Sequence, residues 1–99
     1  AILLDKNVNM VLDTAHLYTA EENYLDIMDE LLTRHLDQLP LIHLCDSKLT
    51  DDGLAFGEGD MDMQKVCRKI SESDFDGIMV FEVMPDFQED ALKKWNDWV

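Results

Sequence analysis

The chain has 99 residues, 46% of them hydrophobic and 30% charged, enough for one small domain with a modest core and well above the apolar content of disordered segments. Asp and Glu total 22 against 8 Lys and Arg, a formal charge of −14 that repels nucleic-acid backbones and anionic membrane surfaces. No apolar run is long enough to span a bilayer and the start of the chain lacks the basic-then-apolar form of a signal peptide, so the expectation is a cytoplasmic location with neither nucleic acid nor membrane as partner.

In chain order, Val8 to Leu12 is a short apolar run ending at Asp13-Thr14-Ala15-His16. Thr19 with Glu22 three residues on has the spacing of a capping box, which predicts a helix starting there. Tyr24, Ile27, Met28, Leu31, Leu32 and Leu36 then recur at helical spacing as one buried stripe, with Asp26, Asp29, Glu30 and Arg34 opposite, and Leu39-Pro40 closes the unit. His35 has no motif around it and reads as a packing or surface residue.

The second unit opens with a strand over Leu41 to Cys45, passes through a long polar loop to Gly59, and ends in a helix carrying Met63, Val66, Cys67 and Ile70. That loop exceeds the usual span of a strand-to-helix connection, and long loops in compact domains are often functional. The third unit starts at Asp76-Gly77 and runs through Ile78-Met79-Val80-Phe81 to Glu82. It turns at Pro85 and ends in a helix with Ala91, Leu92, Trp95 and Val99. Nearly continuous apolar strands alternating with one-sided helices predict an α/β fold with a parallel, covered sheet. Trp95 and Trp98 are expected to pack the last helix against its neighbours.

Two cysteines, Cys45 and Cys67, stand outside any CxxC pair, which argues against a disulfide framework or a structural zinc knuckle. Cys67 falls on an apolar helical stripe and reads as core. Cys45 alternates with His43 and shares its face of the strand, with packing as its simplest role. Gly57-Glu58-Gly59 fits either a weak phosphate cradle or a loop that turns sharply. Lys48 is the positive side chain nearest the strand ends, fitting either a contact to a substrate anion or a solvated loop residue. An Asp, a His and a Glu at the ends of three successive strands is the arrangement by which parallel β/α proteins aim side chains at one metal or substrate. Taken singly, Asp13 fits a turn carboxylate and His43 a satisfied core group; together they favour a metal role.

The segments DTAH, IHLCDSK, GEG and FEV, in this order and with these helices between them, resemble the C-terminal portion of the sugar-phosphate isomerase/epimerase family. Its members share the xylose isomerase-like TIM barrel with the metal-dependent apurinic-site endonucleases. The resemblance runs from about Asn7 to Trp95. It implies that residues 1–99 form a partial barrel domain, three parallel βα units equivalent to the C-terminal part of a (β/α)8 barrel, since a closed barrel takes about 200 residues or more. The resemblance further implies Asp13, His43 and Glu82 as ligands of a divalent metal ion, Mn, Mg, Co or Zn. It gives Glu82 a second role as the catalytic proton-transfer base, and His16 a place at the substrate, as in the isomerases, or at a second metal, as in the endonucleases. The implied activity is that of a metal-dependent isomerase or epimerase of a small sugar or sugar phosphate.

Two departures qualify the transfer. Endonuclease-like members place an Asp and, two residues later, a His before the GEG segment; here Asp51 keeps the Asp, but Gly53 stands in place of the His. The family's other metal-binding Glu lies on an earlier strand, so this chain is expected to supply only part of the site, alongside N-terminal barrel units or within a homo-oligomer. A noncatalytic relic or interaction module, and an apurinic-site endonuclease-like hydrolase, are the alternatives.

Overall fold

A computed structural model describes residues 9–48 and 54–99. Among the described residues strand and helix alternate three times. β1 (Val11–Asp13) leads into α1 (Thr14–Ala20) and α2 (Tyr24–Arg34), and a 3-10 turn at Leu36–Gln38 precedes β2 (Leu41–Leu44). α3 (Met63–Glu72), β3 (Ile78–Phe81), a second 3-10 turn at Pro85–Phe87 and α4 (Gln88–Trp98) complete the order. The strands form one parallel sheet in the order β1-β2-β3. Among the described residues no helix is long and apolar enough to cross a membrane.

The register aligns Asp13 with His43, His43 with Val80, and Leu44 with Phe81. Because side chains alternate along a strand, Leu12, Ile42, Leu44, Met79 and Phe81 share one face. They pack into a core with Met28, Leu31 and Leu32 of α2, Met63, Val66, Cys67 and Ile70 of α3, and Ala91 of α4. Val11, Asp13, Leu41, His43, Ile78 and Val80 take the other face, where Val11 is 52%, Ile78 68% and Val80 39% exposed. The expectation of a covered sheet therefore holds for one face among the described residues. The strands read as continuously apolar because the second face is apolar too, the pattern of strands that line a barrel interior.

The predicted helix start at Thr19 is corrected. The Asp13 side chain accepts the His16 amide at 3.0 Å and so starts α1 directly at the strand end. Thr19 lies near the end of that helix, and its hydroxyl donates to the His16 carbonyl, a back-bond that removes it as a cap. The long stripe begins afresh at α2, after Asn23. Leu92 is 50% exposed, so the buried side of α4 is carried by Ala91, Trp95 and Trp98. Trp98 stacks on Phe56 at 6.3 Å, and Phe56 meets Phe81 edge-on at 5.6 Å. Phe56, fully buried, thereby anchors the loop after β2 between β3 and α4.

Candidate functional site

All three strands run parallel, so their C-terminal ends lie together on one edge of the sheet. There Asp13, Cys45 and Glu82 each bring a donor atom into a group whose members all lie within 4.8 Å of one another. His43 joins through Glu82, its Nδ1 3.2 Å from Glu82 Oε2. His16 stands one helical turn beyond Asp13, its Nδ1 3.5 Å from Asp13 Oδ2, with its side chain 72% exposed. A cleft of about 590 Å³ opens over this edge, lined by Asp13, His16, Cys45, Val80, Glu82 and Met84 among others.

Sequence pattern brought Asp13, His16, His43 and Glu82 to this edge, and the structure places all four there. Cys45, whose simplest role by sequence is packing, belongs to the same cluster. Its alternation with His43 was the available signal. Lys48 is exposed just after the buried Asp46-Ser47 pair, and it does not line the cleft. His35, with its Nδ1 3.3 Å from Gln38 Oε1, sits at the end of α2 away from the strand ends. Asp51 and Gly53, and with them the comparison with the endonuclease pattern, lie outside the described residues.

Two residues with no signal of their own in the sequence, Thr14 and Asp46, hold the site in shape. The Thr14 hydroxyl, fully buried, donates to the Cys45 carbonyl and accepts from the Cys45 amide, tying the end of β1 to the end of β2. Asp46, also fully buried, accepts four backbone amides, those of Ser47, Gly57, Gly59 and Met61, at 2.8 to 3.2 Å. A carboxylate that collects amides in this way replaces lost water with charge-assisted bonds. Of the two readings of Gly57-Glu58-Gly59, the sharply turning loop, wrapped around Asp46, holds and the phosphate cradle does not, because the Gly57 and Gly59 amides that would face an anion face the Asp46 side chain. Gly57 has φ +93°, and a Cβ on Gly59 would collide with Asp46 Oδ1 and the Ser47 carbonyl, so both positions call for glycine. Mutual amide-to-carbonyl bonds between Asp46 and Leu54, and the Asp60 amide on the Ser47 carbonyl, complete the loop.

The donor set fits a divalent ion. Carboxylate oxygens and imidazole nitrogen suit Mg, Mn, Co and Zn. The 3.2 Å between His43 Nδ1 and Glu82 Oε2 matches the roughly 3–3.4 Å that separates two donors sharing one ion at about 2.1 Å. The same distance also serves an N–H···O bond that orients the Glu82 carboxylate.

The family model of the xylose isomerase-like TIM barrel matches residues 3–98. This chain belongs to that family. No curated protein and no solved structure matches it significantly. Membership of the xylose isomerase-like family accounts for the parallel βα repeat, and barrels of this architecture carry their active sites at the strand C-termini, where the candidate residues lie. It also accounts for the apolar second face of the sheet, since barrel strands bury one face against the helices and the other in the barrel interior.

Proposed function

We propose that this chain forms part of the active site of a metal-dependent isomerase or epimerase acting on a small sugar or sugar phosphate. The observation that carries the reading is the convergence of Asp13, His43 and Glu82 on one edge of the parallel sheet, beside an open cleft. Asp13, His43 and Glu82 would hold the ion. Bound there, a divalent cation would supply Lewis-acid polarisation of a substrate carbonyl oxygen. Glu82, 45% exposed at its side chain, then has room to accept a proton from the carbon beside that carbonyl and to return it. Without the ion, His43 Nδ1 steadies the Glu82 carboxylate through the 3.2 Å contact, and with the ion bound that nitrogen would turn its lone pair to the metal instead. His16, projecting from the first turn of α1 at the cleft rim, is placed to hydrogen-bond a sugar hydroxyl. Val80 and Met84 give the cleft an apolar wall for the carbon face of the sugar ring or chain.

The test is proton exchange, which asks only for the half-reaction. The protein is incubated with Zn²⁺ or Mg²⁺ and a panel of ketoses, aldoses and their phosphates in deuterated water, and NMR follows deuterium entry at the carbon next to the carbonyl. Exchange that disappears in Glu82→Gln supports the reading, the loss of an acid/base group being about 10²- to 10⁴-fold. A protein that binds metal yet exchanges none of the panel overturns it.

A further inference from the structure

The cluster holds one donor that a carboxylate-and-imidazole site does not require. Cys45 follows His43 by two residues on the same pleat, and its sulfur lies within 4.8 Å of both the Asp13 and the Glu82 donor oxygens. We propose that the Cys45 thiolate is a ligand of the metal site and tilts that site toward zinc or cobalt over magnesium and manganese. This rests on the metal site of the reading above and deepens it by naming the class of ion.

Three observations support the assignment. Cys45 is 2% exposed and still lines the cleft, so its sulfur faces the interior of the site and is shielded from bulk solvent. Thr14 pins both the amide and the carbonyl of Cys45, which fixes the Cα–Cβ direction before any ion arrives; preset ligand direction favours metal binding. Donors around one such ion stand roughly 3.5 Å apart, so the Asp13, Cys45 and Glu82 donors, all within 4.8 Å of one another, need to contract by at most about an ångström. The half-exposed Glu82 side chain can make that adjustment by rotation.

With Asp13 and Glu82 of its own cluster and His43 beside Glu82, the sulfur makes a set of four donors, and a five-coordinate zinc or cobalt ion would keep one position for the substrate oxygen. Binding releases the thiol proton to solvent and leaves the thiolate on the ion. Soft sulfur favours zinc and cobalt, whereas magnesium and manganese prefer oxygen. Cys67, fully buried in the core, is the internal control.

The experiment is cobalt titration of the full chain, read by absorbance. Wild type is expected to develop both visible d–d bands and a near-ultraviolet thiolate-to-cobalt charge-transfer band, with equimolar Zn²⁺ erasing both and a hundredfold excess of Mg²⁺ leaving them. Cys45→Ser should lose the near-ultraviolet band and weaken cobalt binding by roughly tenfold or more, while Cys67→Ala keeps the band. X-ray absorption of zinc-loaded wild type needs no variant and should show a sulfur neighbour at about 2.3 Å, which decides the matter if Cys45→Ser fails to fold. Cobalt binding that is lost in Asp13→Asn but carries no sulfur signature overturns the thiolate and leaves the isomerase reading standing. A wild type that binds neither cobalt nor zinc overturns both.

Discussion

The Thr14 hydroxyl donates to the Cys45 carbonyl at 2.8 Å and accepts from the Cys45 amide at 3.2 Å, across 31 residues of chain. One side chain thus satisfies two backbone groups at the end of β2, where the parallel ladder stops. It also sets the spacing between Asp13 and Cys45. Thr14→Val keeps the shape and removes the hydroxyl, leaving a buried N–H and C=O without this partner. The expected loss is about 1–3 kcal/mol in urea denaturation, with Thr14→Ser recovering most of it. An unchanged midpoint in Thr14→Val would remove this bridge from the account.

Asp46 predicts a larger effect. Asp46→Asn keeps the volume but turns one acceptor into an NH₂ donor facing backbone amides of Ser47, Gly57, Gly59 and Met61. Hydrogen bonds to charged groups contribute about 1.5–3 kcal/mol each but are shared within one network, so a loss of about 2–4 kcal/mol is expected. Amide hydrogen exchange at Gly57, Gly59 and Met61 should accelerate well beyond that of α2. Uniform acceleration throughout the chain would mean that the loop has no separate dependence on this carboxylate.

The two glycines of the loop should respond differently to alanine. At Gly57 the nearest atom to an added Cβ is Lys94 Nζ at 3.9 Å, so Gly57→Ala meets only the left-handed backbone, costing about 1–2 kcal/mol. At Gly59 the Cβ runs into Asp46 and the Ser47 carbonyl, and the loop must open to admit it. Gly59→Ala should therefore lose more stability than Gly57→Ala in thermal melts. The reverse order would contradict the described wrap.

Alkaline pH offers a check on the core. Burial pushes the Cys67 thiol from its ordinary value of 9.0 up to about 12. Above pH 9 the unfolded chain gives up a proton that the folded chain keeps, so the contribution is fully present below pH 9 and is lost as pH climbs toward 12. Tyr18 moves the same way, through desolvation first and then Asp60, Tyr24 and Asp46. The readout is consequently the stability of wild type minus that of Cys67→Ala. This difference should shrink between pH 8.5 and pH 10.5, and a flat difference would show that the thiol ionises equally in both states.

Metal binding can be separated from helix capping at Asp13. Its carboxylate caps α1 through the His16 amide, and Asn is as good a cap as Asp. Asp13→Asn should melt close to wild type without metal yet lose the rise in Tm that Zn²⁺ or Mn²⁺ produces. At a metal concentration about 100 times Kd that rise corresponds to roughly 2.7 kcal/mol. His43→Ala should also abolish it. A full metal-induced rise in Asp13→Asn would place the ion elsewhere.

The sequence by itself determined the three strand-and-helix units, the helical stripes of α2 and α3, and the candidacy of Asp13, His16, His43 and Glu82, because strand and helix periods and strand-end positions are local properties of the chain. It misplaced the first helix start, since Thr19 and Glu22 have cap spacing but Asp13 caps first. Only the tertiary structure decided that Cys45 stands with Asp13 and Glu82, that Thr14 and Asp46 hold the strand ends and the loop, and that Gly57 and Gly59 close on a side chain rather than on an anion. Those relationships join residues 11 to 69 positions apart, and no local periodicity encodes which buried polar groups will meet once the sheet has paired.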